Sequence, residues 1–250
     1  MASAPVRAPL ASLASHPLLW RGKAVSHRIA TLGTGHAVLD EALPGNGWPR
    51  GAVTEIVTDA AGCGELSLLL PVLAQLSRDN HWISMIDPPW IPYPSALHGH
   101  GLALEKLLLI RTHSRAESLW ACEQVVRGIP GGAMLAWPEA MSFSELRRLQ
   151  LAAGRTQKAV FLFNDRKAAN TASPAALRLE LKADDGDLQV SVLKCRGKRP
   201  ASGIRIRRSQ LFQPLVPPVV NSDGSVKHPD SSSESHVVSL ADSRNDQLSL

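Results

Sequence analysis

Five apolar runs of four to six residues recur along the chain, at 52–57, 82–86, 107–110, 133–137 and 159–163, and stretches of helical character separate them. Runs this short and this uniformly apolar suit strands buried on both faces. Strand-helix-strand repetition then implies a parallel sheet with right-handed crossovers, flanked by helices. After Pro174 the period changes. ALRLELKA and LQVSVLKC alternate apolar and polar residues, and Asp184-Asp185-Gly186-Asp187 between them supplies the positive-φ glycine of a tight hairpin. The expected fold is α/β: a mainly parallel sheet between helices, closed by an antiparallel C-terminal edge hairpin.

Helix starts are legible too. Ser114-x-x-Glu117 and Ser142-x-x-Glu145 each have capping-box spacing. In the second helix Leu146, Leu149 and Ala153 share one face, while Arg147 and Arg148 point elsewhere. Residues 1–24, rich in Ala, Ser and Pro, read as a flexible leader, 25–212 as one folded domain, and 213–250 as a disordered polar tail. No window is apolar enough for a membrane span or a secretory signal, so a cytoplasmic protein is expected. Cys63, Cys122 and Cys195 lie far apart without C-x-x-C pairing and are expected to be free structural thiols. His98-x-His100 has no third ligand nearby, and no metal is expected.

The segment TDAAGCGEL, residues 58–66, lies between the first apolar strand and an apolar helix, where a phosphate-binding loop belongs. Such a loop reads G-x-x-x-x-G-K-[ST]: its glycines turn backbone N–H groups to the phosphates, its Lys reaches the outer oxygens and its hydroxyl holds Mg²⁺. Here Asp59 replaces the first Gly, Gly62 lies within, Gly64 keeps the second, Glu65 replaces the Lys and Leu66 the hydroxyl. A carboxylate in place of the Lys repels a triphosphate, and Leu66 cannot bind a metal.

From Thr31 to Arg207 the order of segments resembles the RecA recombinase core, and more closely the ImuA family, RecA-like and SulA-related proteins of mutagenesis operons. In LGTGHAVLDEALPGNGWPRGAVTEI, Gly33, Leu39, Asp40, Leu43, Gly45, Gly47, Gly51 and Glu55 fall at matching places. Trp90-Ile91-Pro92, LRRLQLAA at 146–153 and SVLKCRGKRP continue the likeness. The resemblance implies a RecA-like core and a part in SOS-induced translesion DNA synthesis. It further implies bridging of an ImuB-like Y-family polymerase homologue and an error-prone replicative-type polymerase, with RecA and DNA as further candidates. A SulA-like inhibitor of cell division acting on FtsZ is the alternative. Against an active recombinase core, Trp137 and Pro138 stand where an Asp should position Mg²⁺, and Pro89, after Asp87-Pro88, stands near the place of the water-activating carboxylate. With phosphate clamp, metal site and base all altered, the expectation is a pseudo-NTPase with no catalytic residues and no cofactor.

Net charge is +5, with −3 in residues 214–250 and +8 in the rest. Residues 194–208 concentrate the excess: Lys194, Arg196, Lys198, Arg199, Arg205, Arg207 and Arg208, with no acid among them. This is either a solvated edge that discourages sheet aggregation or a surface for a phosphate backbone or an acidic partner. Arg166 and Lys167 lie in the loop 164–174, where RecA-type proteins contact DNA. Trp90, beside three prolines and Tyr93, is the candidate exposed aromatic contact. Trp48 is expected to cover the sheet end, and Trp82, Trp120 and Trp137 are expected in the core.

Overall fold

The computed structural model describes residues 30–59, 61–166 and 171–211, and the backbone of 236–239. The five apolar runs form β3 (Ala52–Thr58), β4 (Ile83–Ile86), β5 (Leu107–Arg111), β6 (Ala133–Ala136) and β7 (Ala159–Asp165). Two short strands, β1 (Thr31–Leu32) and β2 (Trp48–Pro49), pair antiparallel ahead of them. β8 (Leu177–Asp184) joins β3 in parallel, and β9 (Asp187–Cys195) and β10 (Ile204–Ile206) continue the sheet antiparallel. The spatial order is β10-β9-β8-β3-β7-β6-β4-β5, so the first long strand is central and buried on both faces.

β11 (His236–Ser239) pairs in parallel with β5 at the opposite edge. It falls within the segment 213–250 expected to lack structure. The run His236-Val237-Val238 is β-branched and apolar enough to take a strand. The leader 1–24 and the other residues of that tail lie outside the described residues.

Helices cover both faces. α1 (Ala37–Ala42), α2 (Glu65–Arg78) and α3 (Pro94–Gly99) lie on one side; α4 (Arg115–Arg127) and α5 (Phe143–Thr156) lie on the other. Period-2 alternation divides β7 between the two cores. Phe161 and Phe163 pack with Trp48, Leu69 and Leu73, whereas Val160 and Leu162 pack with Cys122, Val126, Leu146 and Leu149. Trp48 is fully buried, its ring meeting Phe161 edge-on with centroids 5.4 Å apart. Trp120 departs from expectation. It stands on the outer side of α4 and is 54 % exposed, because Ala121, Cys122 and Val126 take the inward stripe of that helix.

The hairpin turn forms as its sequence dictates: Asp185 and Gly186 have φ of 46° and 84°, the two positive values of a type I′ turn. α5 opens with a complete capping box, Ser142 Oγ accepting from the Glu145 N–H at 3.3 Å and Glu145 accepting from the Ser142 N–H at 2.7 Å. α4 has only half of one. Ser114 Oγ accepts from the Glu117 N–H, but the Glu117 carboxylate takes the N–H of His113 instead of Ser114. No helix among the described residues is long and apolar enough to cross a membrane.

Candidate functional site

The carboxyl ends of β3, β6 and β7 open into a cleft of about 240 Å³ lined by Thr58, Asp59, Ala61, Glu65, Trp137, Phe163, Asn164 and Asp165. Ligand sites of open α/β sheets lie at this end. The lining is acidic and aromatic. Asp59, Glu65 and Asp165 contribute carboxyl groups, and Trp137 stacks on Phe163 with ring centroids 4.3 Å apart and planes 8° from parallel. Arg166 stands at the rim. It is bound to Asp59 at 2.9 Å and lies 3.4 Å from Glu180.

The degenerate loop is ordered by its own acid. Gly62 and Gly64 have left-handed backbone, with φ of 88° and 108°, and donate their N–H groups to Glu65 at 2.7 and 3.1 Å. Glu65 is the first residue of α2 and is buried, so the side chain folds back over the turn that precedes it. Leu66, which follows, packs against the core. Thr58 Oγ1 lies 3.2 Å from Cys63 Sγ, and burial pushes the Cys63 thiol up. Cys122 is pushed up to about 12 by burial. Neither sulfur is poised as a thiolate nucleophile.

Two residues before Pro89, Asp87 is engaged in structure. Its two carboxylate oxygens accept the N–H and the hydroxyl of Thr112, both at 2.7 Å, and thereby tie the end of β4 to the residue that follows β5. The chain then emerges into solvent, with Trp90 71 %, Ile91 78 % and Tyr93 68 % exposed.

The basic segment 194–208 does not make one surface. Lys194 donates to the Ser173 carbonyl at 2.5 Å, Arg196 to that of Pro174 at 3.4 Å and Lys198 to that of Glu41. The first two cap backbone just before β8, and the third caps a carbonyl of α1. Arg205 instead binds Asp184 and Asp187, each at 3.1 Å, at the hairpin tip. The Arg208 N–H donates to Asp187 at 2.9 Å. Among the described residues, the exposed side chains of Arg199 and Arg207 carry no ion pair. Lys167 lies outside the described residues.

Sequence patterning also missed a buried polar cluster beside the cleft. Glu55 accepts from Asn164 at 3.0 Å and from the hydroxyl of Ser173, and faces Arg178, whose guanidinium in turn donates to the Thr171 carbonyl at 2.7 Å. An acid in an otherwise apolar strand was the available signal; its partner could not be named without the register.

Residues 51–160 match the family model described as cell division inhibitor SulA. The SulA protein of Edwardsiella piscicida is 31 % identical over 114 residues, covering 44 % of this chain and 68 % of that protein. The chain belongs to the SulA family. This SulA-family protein is also similar to RecA of Bacillus mycoides, 29 % identical over 106 residues, 42 % of this chain and 31 % of the relative. RecA of Rubrobacter xylanophilus is 29 % identical over 106 residues, with 42 % and 30 % covered. The chain thus spans about a third of the length of the RecA proteins it matches. It is a RecA-like, SulA-related protein whose hairpin β8–β9 and strand β10 lie beyond the family-matched segment.

Proposed function

We propose that this protein is a non-catalytic accessory protein of SOS-induced translesion DNA synthesis. It acts as a cytoplasmic RecA-like adaptor between an ImuB-like Y-family polymerase homologue and an error-prone replicative-type DNA polymerase, with RecA as a further partner. The observation that carries the non-catalytic reading is the engagement of the Gly62 and Gly64 N–H groups by Glu65. A triphosphate would need those donors and would meet a carboxylate in their place. The stacked Trp137 after β6, where the resemblance would place a Mg²⁺-positioning Asp, and the structural use of Asp87 agree with it. Likeness to both RecA and SulA supports a role in the response to DNA damage, and the chain carries basic strands beyond the SulA-matched residues.

The SulA match favours a second reading, inhibition of cell division through FtsZ. Trp90, Ile91 and Tyr93, the exposed apolar group, lie within the matched segment. Purification of the tagged protein from DNA-damaged cells, with mass spectrometry of what co-elutes, separates the two. Polymerase subunits or RecA support the adaptor; FtsZ alone, with loss of FtsZ sedimentation on adding the protein, supports division arrest. Tight ATP binding by calorimetry would overturn the non-catalytic reading under either.

A further inference from the structure

The two sides of the sheet are finished in different ways. At one, β10 is three residues long and carries Arg205, and a short charged strand offers little to a foreign chain. At the other, β5 reads Leu107-Leu108-Leu109-Ile110-Arg111, four apolar residues in succession beside β4. Left open, that strand would present a row of unpaired N–H and C=O groups on an apolar ribbon, a template for strand addition. The chain covers it with β11. His236 lies level with Leu108, Val237 with Leu109, Val238 with Ile110 and Ser239 with Arg111, in parallel register.

The cover comes from the far side of the molecule. α6 (Arg208–Leu211) follows β10, so the chain passes from one edge of the sheet to the other before β11 begins. The strand order puts β10 and β11 eight spacings apart, or ~38 Å, whereas the residues from Leu211 to His236 can reach up to ~85 Å. A connection with that much length to spare imposes no position on β11, and the ladder with β5 sets where it lies.

We propose that the outer edge of β5 is a strand-docking surface and that His236–Ser239 is its resident occupant, a detachable cap whose place an extended apolar peptide can take. A tethered strand competes as if present at about millimolar concentration. The cap stays on only if the same residues, free in solution, bind the open edge with a dissociation constant below that level. Neither the adaptor nor the division reading is needed for this, and both survive its failure.

The test uses the full chain with Val237→Pro and Val238→Pro together. Successive N–H groups of a strand point to opposite sides, so the pair removes whichever donor faces β5. Hydrogen exchange is followed at the amides of residues 107–111 that do not bond to β4, with β3 and β7 as controls. These amides should exchange at least ~10-fold faster than in the wild type while the controls keep their protection. A labelled peptide of residues 234–241, Glu-Ser-His-Val-Val-Ser-Leu-Ala, should bind the variant below about a millimolar and the wild type at least ~10-fold more weakly, and the same peptide with both valines changed to proline should bind neither. Equal exchange in the two proteins overturns the cap. So does equal uptake of the peptide by both, or none by the variant at a few millimolar. Should the controls in β3 and β7 lose protection as well, Val237→Gly with Val238→Gly keeps every N–H and lowers only strand propensity. A faster exchange confined to β5, by at least ~3-fold, is then expected, and wild-type exchange overturns the proposal.

Discussion

Glu55 and Arg178 stand opposite each other in the parallel register of β3 and β8, with Arg178 Nε 3.3 Å from Glu55 Oε2 and side chains only 2 % and 6 % exposed. Ser173 and Asn164 complete the carboxylate's shell, so the pair anchors the 171–176 segment to the central strand. Replacing either partner leaves a buried charge uncompensated. Glu55→Leu or Arg178→Met should each cost about 3–5 kcal/mol, and the double variant much less than their sum. Urea unfolding of the four proteins of this cycle checks it, and additive losses would refute the coupling.

Lys158 is 2 % exposed and its ammonium donates to the Gly131 carbonyl at 2.8 Å, with no ion pair to a carboxylate among the described residues. Burial lowers it from 10.5 to about 8. Between those values the unfolded chain binds a proton that the native protein has released, so stability rises with pH through that window; below pH 8 the burial penalty, about 3 kcal/mol, is present in full. The wild type should therefore gain stability relative to Lys158→Met from about pH 8 to about pH 10. A constant difference across that range would contradict the assignment.

The two helix starts should respond alike to loss of the capping hydroxyl. Ser142→Ala removes the Oγ that accepts the Glu145 N–H, while the Glu145 carboxylate keeps the backbone N–H of residue 142. Ser114→Ala removes the equivalent Oγ while Glu117 keeps the His113 N–H, so each should cost ~1 kcal/mol. Denaturant midpoints at unchanged slope provide the comparison.

Trp90 and Arg207 are exposed, and neither side chain supports the fold. Trp90→Ala and Arg207→Ala should each leave stability within about 0.5 kcal/mol of wild type. Under the adaptor reading they should reduce recovery of polymerase subunits, and normal recovery from both variants would remove these positions from the interface. Arg205→Ala serves as a contrast, since it breaks contacts to Asp184 and Asp187 and perturbs the hairpin tip.

The strands were legible because residues buried on both faces leave uninterrupted apolar runs, and the hairpin because period 2 and Asp-Gly coincide at 177–195. Ser142 was legible because capping is local. What escaped needed three dimensions. The Glu117 carboxylate chose His113 over Ser114, and Trp120 lost the inner stripe of α4 to smaller neighbours. The partner of Glu55 depended on strand register. Glu65 could be seen to lack the lysine's charge, but its reach back to Gly62 follows from two positive φ values that the sequence permits without announcing. The basic stretch is continuous in sequence but not in space, because the chain reverses direction between β9 and β10.

That reversal sets a length. Lys194 lies level with Arg178, whereas Arg205 lies level with Gln189 and Arg207 comes two residues further on. At about 3.4 Å per residue the two ends of the basic segment are separated by roughly 24 Å along the sheet. A nucleic acid touching both would have to run for about seven nucleotide steps across the edge, and a footprint shorter than that would engage one end and be indifferent to substitutions at the other.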